Sequence, residues 1–172
     1  MSERGARVAQ LRIGLVLSMR GGALPKIVGP IRYGIGGPLG DGSQIQSWIE
    51  LNDLLGAVKF ALENESLEGP INCVAPQTVS NGELTRHIGR MLRRPSFLGV
   101  PVPLLRLLAG REMADELLLA SARVEPTRLM KAGFRWRFPR IEDALQHLLE
   151  AAGLIGDKKP GKEKKAPRGS RS

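Results

Sequence analysis

Aromatic residues make up only 4% of this 172-residue chain, with a single tyrosine, and there is one cysteine. Few aromatics mean that any core must be built from Leu, Val, Ile and Ala, for which a hydrophobic content of 42% is sufficient. One cysteine excludes an internal disulfide framework and fits a reducing, cytoplasmic setting. Cys73, inside Ile71-Asn72-Cys73-Val74-Ala75, is expected to be a small buried hydrophobe. No apolar run reaches the ~20 residues of a membrane-spanning helix, and the charged start at Met1–Arg7 lacks the apolar core of a signal peptide. The two histidines, His87 and His147, stand far apart and have no metal-ligand spacing to Cys73, so the sequence predicts no metal site. No serine lies in a G-x-S-x-G elbow, which argues against a nucleophile-elbow hydrolase.

What is present is strongly basic. Of the net charge of +9, residues 157–172 supply +5, in a Lys/Pro/Gly/Ser tail that cannot bury apolar surface and is expected to be disordered. The tail reads first as a solubilising appendage. Its functional alternative is weak contact with nucleic acid or anionic lipid, although no aromatic residue is interleaved to stack on bases.

Along the chain, Arg7–Leu17 is almost continuously apolar from Leu11, as expected of a strand covered on both faces of a parallel sheet. Gly22–Tyr33 predicts a short helix with Pro25 in its first turn. A glycine-rich loop and a second strand through Gln46–Leu51 follow, then a helix over Asn52–Asn64 with Leu54, Leu55, Val58 and Leu62 on its apolar stripe. Asn52-Asp53 is the expected carboxylate cap of that helix. Pro70–Ala75 predicts a third strand, and Ser80-x-x-Glu83 is a capping box opening a helix to Leu92 or Arg93, stopped by Pro95. Further helices are expected over Leu104–Ala109, Glu112–Leu119, after Pro126 as far as Gly133, and over Ile141–Ala152. Phe134–Phe138 alternates aromatic and basic residues and predicts an edge strand. The β-α alternation argues for an α/β fold with a mostly parallel sheet, but a sheet of about three strands is small and leaves open edges.

Gly34, Gly37 and Gly40 have a suggestive spacing. A phosphate fingerprint, however, requires a strand before the first glycine and a helix N-terminus at the last. Here a helix precedes and a strand follows, so the glycines are read as a turn lining a cleft. The residue four positions after Tyr33 is Gly37 rather than lysine, so the Tyr/Lys pair of a dehydrogenase is missing too. No catalytic residue is assigned.

An ordered series of short motifs nevertheless carries a resemblance. It comprises Arg12-x-Gly14-x-Val16-Leu17, Gly21-Gly22-Ala23-Leu24, Gly36-Gly37-Pro38-Leu39-Gly40, Ser47-Trp48-Ile49 with Asp53, Gly69-Pro70-Ile71-Asn72, Arg94-Pro95, Glu112–Leu119 and Ala132-Gly133-Phe134. Over about Arg7–Leu149 the chain resembles the C-terminal half of the NAD(P)-dependent epimerase/dehydratase-like proteins of the extended short-chain dehydrogenase/reductase superfamily. Within it, the chain is most similar to the branch labelled nucleoside-diphosphate-sugar epimerase, which ends in a small domain of unknown function.

The resemblance implies a partial Rossmann-like, doubly wound parallel sheet over 1–93, a small mostly helical C-terminal domain over 94–153, and the basic tail over 154–172. It implies NAD or NADP as cofactor of the full-length family, with the backbone of Gly14, Leu15, Val16 and Leu17 as the cofactor-lining part left in this chain. Gly36, Gly37, Trp48 and Glu50 are implied to line a cleft for a nucleotide-sugar-like substrate. Where the branch reads Trp-Ile-His-x-Asp-Asp, this chain has Trp48-Ile49-Glu50-Leu51-Asn52-Asp53, a carboxylate in place of an imidazole. With the glycine fingerprint and the Tyr/Lys pair absent, the chain alone is expected to bind no cofactor and to perform no hydride chemistry. Its expected partner is a missing N-terminal half or a second copy. A non-enzymatic interaction module, using the helical domain and the tail, is the alternative.

Overall fold

The computed structural model describes residues 7–99 and 121–156. The helices expected over Leu104–Ala109 and Glu112–Leu119, and the basic tail from residue 157 on, lie outside the described residues, while Leu154 and Ile155 at the start of the expected tail pack against a core.

The elements in chain order are β1 (Ala9–Ile13), β2 (Leu15–Leu17), α1 (Ala23–Arg32), β3 (Ile45–Gln46), β4 (Trp48–Glu50), α2 (Leu51–Glu63), β5 (Gly69–Cys73), β6 (Val79–Ser80), α3 (Asn81–Leu92), α4 (Thr127–Lys131) and α5 (Ile141–Ala151). Strands β1 and β5 pair in parallel, as do β2 and β4, while β3 and β6 form a two-residue antiparallel ladder.

The stretch expected to be one strand over Arg7–Leu17 is two, because the chain changes partner at Gly14. Ala9–Ile13 runs beside Gly69–Cys73, and Leu15–Leu17 runs beside Trp48–Glu50. At the crossing, Gly14 N–H donates to Cys73 O (3.3 Å), Leu15 N–H to Ser47 O (2.8 Å) and Ala75 N–H to Trp48 O (2.6 Å). A side chain at Gly14 would place its Cβ 2.4 Å from Ser47 O and 2.7 Å from a Val74 methyl. Only glycine lets three backbones meet there.

Successive residues of β2 and β4 enter opposite layers, as the pleat requires. Leu15, Leu17 and Trp48 join a core with Leu24 and Ile31 of α1, Leu84 and Ile88 of α3, and Ile141, Leu145 and Leu149 of α5. Val16 and Ile49 join a second core with Ala57 and Ala61 of α2, Ile71 and Cys73 of β5, and Leu129 of α4. Parallel strands with helices on both faces are the layering of a doubly wound, Rossmann-like α/β fold. Strand β1 departs from the expectation of full burial: Leu11 is half-buried and Ile13 is 52% exposed.

Helix α3 begins with the expected capping box. Ser80 Oγ accepts from Glu83 N–H, and the Glu83 carboxylate accepts from Ser80 N–H at 2.8 Å. Both Ser80 bonds, the backbone one first, hold the Glu83 carboxyl below its ordinary pKa. Helix α2 differs from expectation in its cap and its buried face. Glu50, not Asn52-Asp53, is the N-cap, and the buried positions are Asp53, Leu54, Ala57 and Ala61, whereas Leu55 and Leu62 are 59% and 73% exposed. Phe134–Phe138 forms no strand. Trp136 Nε1 donates to Val74 O (3.0 Å), and the backbone donors of Arg137 and Phe138 go to a side chain rather than to a ladder. Cys73 is buried, as expected, and burial raises its thiol pKa.

Candidate functional site

The residues singled out by the resemblance fall in three places. The first is the end of β4. Apolar Trp48 and Ile49 anchor the strand to the two cores, and the chain turns directly into α2. Glu50 is 1% exposed, and its carboxylate accepts from Asn52 N–H (2.6 Å), Asp53 N–H (3.2 Å) and the Asn52 side-chain amide (3.0 Å). A carboxylate at a helix N-terminus meets unpaired amides and the positive end of the helix dipole. The carboxylate at this position is thus satisfied by a local cap.

Asp53, one turn further, is also buried. Its two oxygens accept from Arg137 N–H (2.8 Å) and Phe138 N–H (2.9 Å), clamping the segment that leads into α5 onto the start of α2. Gln77 completes this junction by accepting from Ile141 N–H at 2.8 Å, where Arg140 offers no side-chain cap to α5. Ser47 ties in a further segment: its hydroxyl donates to Ala122 O (2.7 Å) and accepts from Val124 N–H (2.9 Å). Sequence reasoning singled out Ser47 and Asp53, the latter as a helix cap, but assigned none of these three residues its role as a long-range anchor. Their partners lie 64 to 85 residues away, so no local pattern announces them.

The second place is the strand crossing of Gly14, Leu15, Val16 and Leu17. Leu17 is fully buried, and Leu15 and Val16 are half-buried against the two cores. The space at Gly14 is taken by Ser47 and Val74, so this glycine serves strand packing and leaves no cradle open for a phosphate.

The third place is the glycine loop. A Cβ at Gly36 would lie 2.5 Å from Ile31 N, and one at Gly37 would lie 2.4 Å from Leu98 O. Both glycines allow the loop to press against the end of α1 and against the segment leaving α3. Leu39 N–H is held by the Asn81 side chain at 2.7 Å. Pro38 then lines an open cleft of about 560 Å³ together with Arg86, Arg90, Arg93, Arg94 and Phe97. The loop therefore lines a cleft, but Trp48 and Glu50 lie inside the fold and not among the residues that line it.

Of these arginines only Arg94, in Arg94-Pro95, stands in a motif that the sequence singled out. Arg86, Arg90 and Arg94 recur every four residues, a spacing that puts them on one side of a helix, and this was the available signal. The histidines take structural roles: His87 is 3.7 Å from Glu142 between α3 and α5, and His147 stacks on Phe138 with ring centres 4.7 Å apart. Among the described residues there is no His/Cys/Asp/Glu cluster able to hold a metal, and no helix is long and apolar enough to cross a membrane. Gly14, Gly36 and Gly37 are each closed off by neighbouring atoms, backbone among them, and leave no open cradle for a dinucleotide pyrophosphate.

Comparison with known proteins gives a consistent picture. Residues 100–148 match the family model of a domain of unknown function, DUF1731. The chain is 38% identical over 144 residues to the epimerase family protein SDR39U1 of Bos taurus, covering 83% of this chain and 49% of the relative. It is 39% identical over 151 residues to the epimerase family protein Mb2239 of Mycobacterium bovis, covering 88% and 50%. The crystal structure of human epimerase family protein SDR39U1 (isoform 2) with NADPH superimposes with a TM-score of 0.74 at 34% identity, over 84% of this chain and 48% of that one. A nucleoside-diphosphate sugar epimerase from Corynebacterium glutamicum gives a TM-score of 0.66 at 34% identity, over 84% and 26%. The chain spans about half the length of the curated relatives it matches. With motif order, fold and DUF1731 segment in agreement, the chain matches the C-terminal portion of the epimerase family proteins, over roughly half of their length.

Proposed function

We propose that this chain is the substrate-cleft half of an NAD(P)-dependent, nucleotide-sugar-type epimerase or oxidoreductase, inactive by itself and completed by a half that carries the dinucleotide site. The observation that carries this reading is β1. It pairs with β5 along one edge, yet Val8 and Ile13 stay largely exposed, and among the described residues no strand takes its other edge. An apolar strand with a free edge in a parallel fold is a surface that another strand covers. The match to about half of the relatives' length, an NADPH-bound structure among them, supports a complementary half as the occupant.

On this reading the dinucleotide is held by the complementary half, with the Gly14–Leu17 backbone of this chain reaching the cofactor. Gly36 and Gly37 shape the rim of the substrate cleft. Trp48 and Glu50 act from behind it, by fixing the β4–α2 junction. A nucleotide-sugar-like ligand is the expected substrate class. The test is amide hydrogen exchange of the chain before and after addition of the N-terminal half of the Mycobacterium bovis relative. Exchange at Ala9–Ile13 should slow by about tenfold or more if these amides gain ladder partners. Unchanged exchange along β1 in a complex that demonstrably forms would contradict the proposed edge.

A further inference from the structure

A chain with few aromatic residues exposes two of them beside the glycine loop. Tyr33, the only tyrosine, is 76% exposed at the end of α1, and Phe97 is 78% exposed beyond α3. Ile35 and Leu98 are exposed with them. The two stretches are neighbours in space. A Cβ at Gly34 would lie 3.7 Å from the Pro95 ring, and one at Gly37 would meet Ser96 O at 2.9 Å and Leu98 O at 2.4 Å. Apolar side chains exposed singly need no explanation, whereas a group of them with a polar rim marks a contact surface.

The rim of this group is cationic. Arg90, Arg93 and Arg94 are exposed and line the same cleft as Phe97, and Arg32 precedes Tyr33 in the last turn of α1. No Asp or Glu occurs from Gly5 to Gly40, or from Leu84 to Gly99, the two stretches that supply these residues. Among the described residues no carboxylate lies within ion-pair distance of Arg32, Arg90, Arg93 or Arg94. Arg93 also takes the left-handed backbone (φ 54°) that closes α3, a position where glycine is favoured. A guanidinium is thus kept there against the local backbone preference.

We propose that this face docks on an anionic lipid bilayer, with Tyr33, Ile35, Phe97 and Leu98 entering the interface and the arginines meeting the lipid headgroups. Charge complementarity selects this occupant. Against a second copy of the same face, arginine would meet arginine, and like charges brought together exclude a partner. A nucleic acid would pair with the arginines and stack on an aromatic ring, but would leave Ile35 and Leu98 in water. A bilayer accepts both kinds of side chain. The apolar ones sink to the boundary between headgroups and acyl chains, and arginine keeps its guanidinium at the headgroup level while its stem packs below. An anionic surface attracts each nearby cation in addition. The contact is peripheral, since no helix among the described residues is long and apolar enough to cross a membrane. The face uses no residue of β1, so it stands whether or not a complementary half pairs there.

The test is flotation of the full chain with phosphatidylcholine vesicles that contain or lack phosphatidylserine. The chain should float with the anionic vesicles and stay behind with the neutral ones. Arg90→Gln/Arg93→Gln should weaken binding by about tenfold or more. Lys59→Gln/Lys131→Gln removes the same charge from exposed positions of α2 and α4, in the other layer of the fold, and should leave binding close to that of the parent. Phe97→Ser/Ile35→Ser keeps the charge and should also weaken binding by about tenfold or more, through lost apolar insertion. All these positions are exposed, so the Tm of each variant should match that of the parent. Phe97→Trp should show blue-shifted emission on the anionic vesicles. Absence of binding to those vesicles overturns the proposal, as does full binding by Phe97→Ser/Ile35→Ser. Equal losses in the two charge-removing variants overturn it too, because they mark unspecific attraction to a basic chain. So does a single-stranded oligonucleotide that binds through Arg90, Arg93 and Phe97 while vesicles do not, which would assign the face to nucleic acid.

Discussion

Two residues carry more of the architecture than their size suggests. Gly14 lets β1–β2, β4 and β5 exchange partners at one point, and a Cβ there would meet Ser47 O at 2.4 Å. Because that contact is backbone, it cannot be relieved by a rotamer change. Gly14→Ala should cost about 2–3 kcal/mol by overpacking, seen as a lower urea midpoint with an unchanged slope. Asp53 is the other. Its carboxylate serves two backbone donors 84 and 85 residues away. Asp53→Asn keeps the volume but turns one acceptor into a donor, leaving Arg137 N–H or Phe138 N–H facing an amide. The expected loss is about 2 kcal/mol, the usual cost of an unsatisfied buried group. It should appear in thermal unfolding together with faster amide exchange at 137–138. If Asp53→Asn left both unchanged, the clamp would carry no weight.

Among the elements, α3 and α5 were the most legible in the sequence. The capping box at Ser80 and Glu83 and the five buried positions of α5 (Ile141, Ala144, Leu145, Leu148 and Leu149) are local patterns, and each sits where its pattern puts it. Ser80→Ala should destabilise by about 1 kcal/mol. The Glu83 carboxyl titrates below its ordinary value in the folded chain, because Ser80 donates to its charged form. A depressed carboxylate contributes stability that is fully present above the unfolded pKa, near 4.5, and lost as pH falls through the folded value. Glu83→Gln should therefore flatten the acid limb of the stability profile below about pH 4.5 and leave the neutral region almost parallel to the parent. What failed at this scale failed for non-local reasons. The apolar run Arg7–Leu17 contains no sign that its partner changes at Gly14. The alternation in Phe134–Phe138 resembles a strand, but its donors are claimed by Asp53 and Val74 from distant elements. Leu55 and Leu62 fit an apolar stripe on α2, yet the buried stripe is built on Asp53, Ala57 and Ala61, because a polar anchor rather than a leucine faces the junction.

At the scale of the molecule, two cores on either side of a short parallel sheet were readable from the β-α alternation, and the family from the order of its motifs. The candidate site was only half readable. Of the glycine loop, Pro38 lines a cleft while Gly36 and Gly37 pack against Ile31 and Leu98, and the arginines that line the same cleft come from α3 and the turn that follows it. The central claim is that this half supports dinucleotide chemistry only when joined to the other. It is tested most directly by fluorescence titration of NADPH into three proteins: this chain, the N-terminal half of human epimerase family protein SDR39U1, and a chimera joining that half to this chain. The account predicts saturable binding by the chimera, at least about tenfold tighter than by either part, and no saturable binding by this chain alone. Tight binding by this chain alone, or a chimera no better than its separate parts, would contradict it.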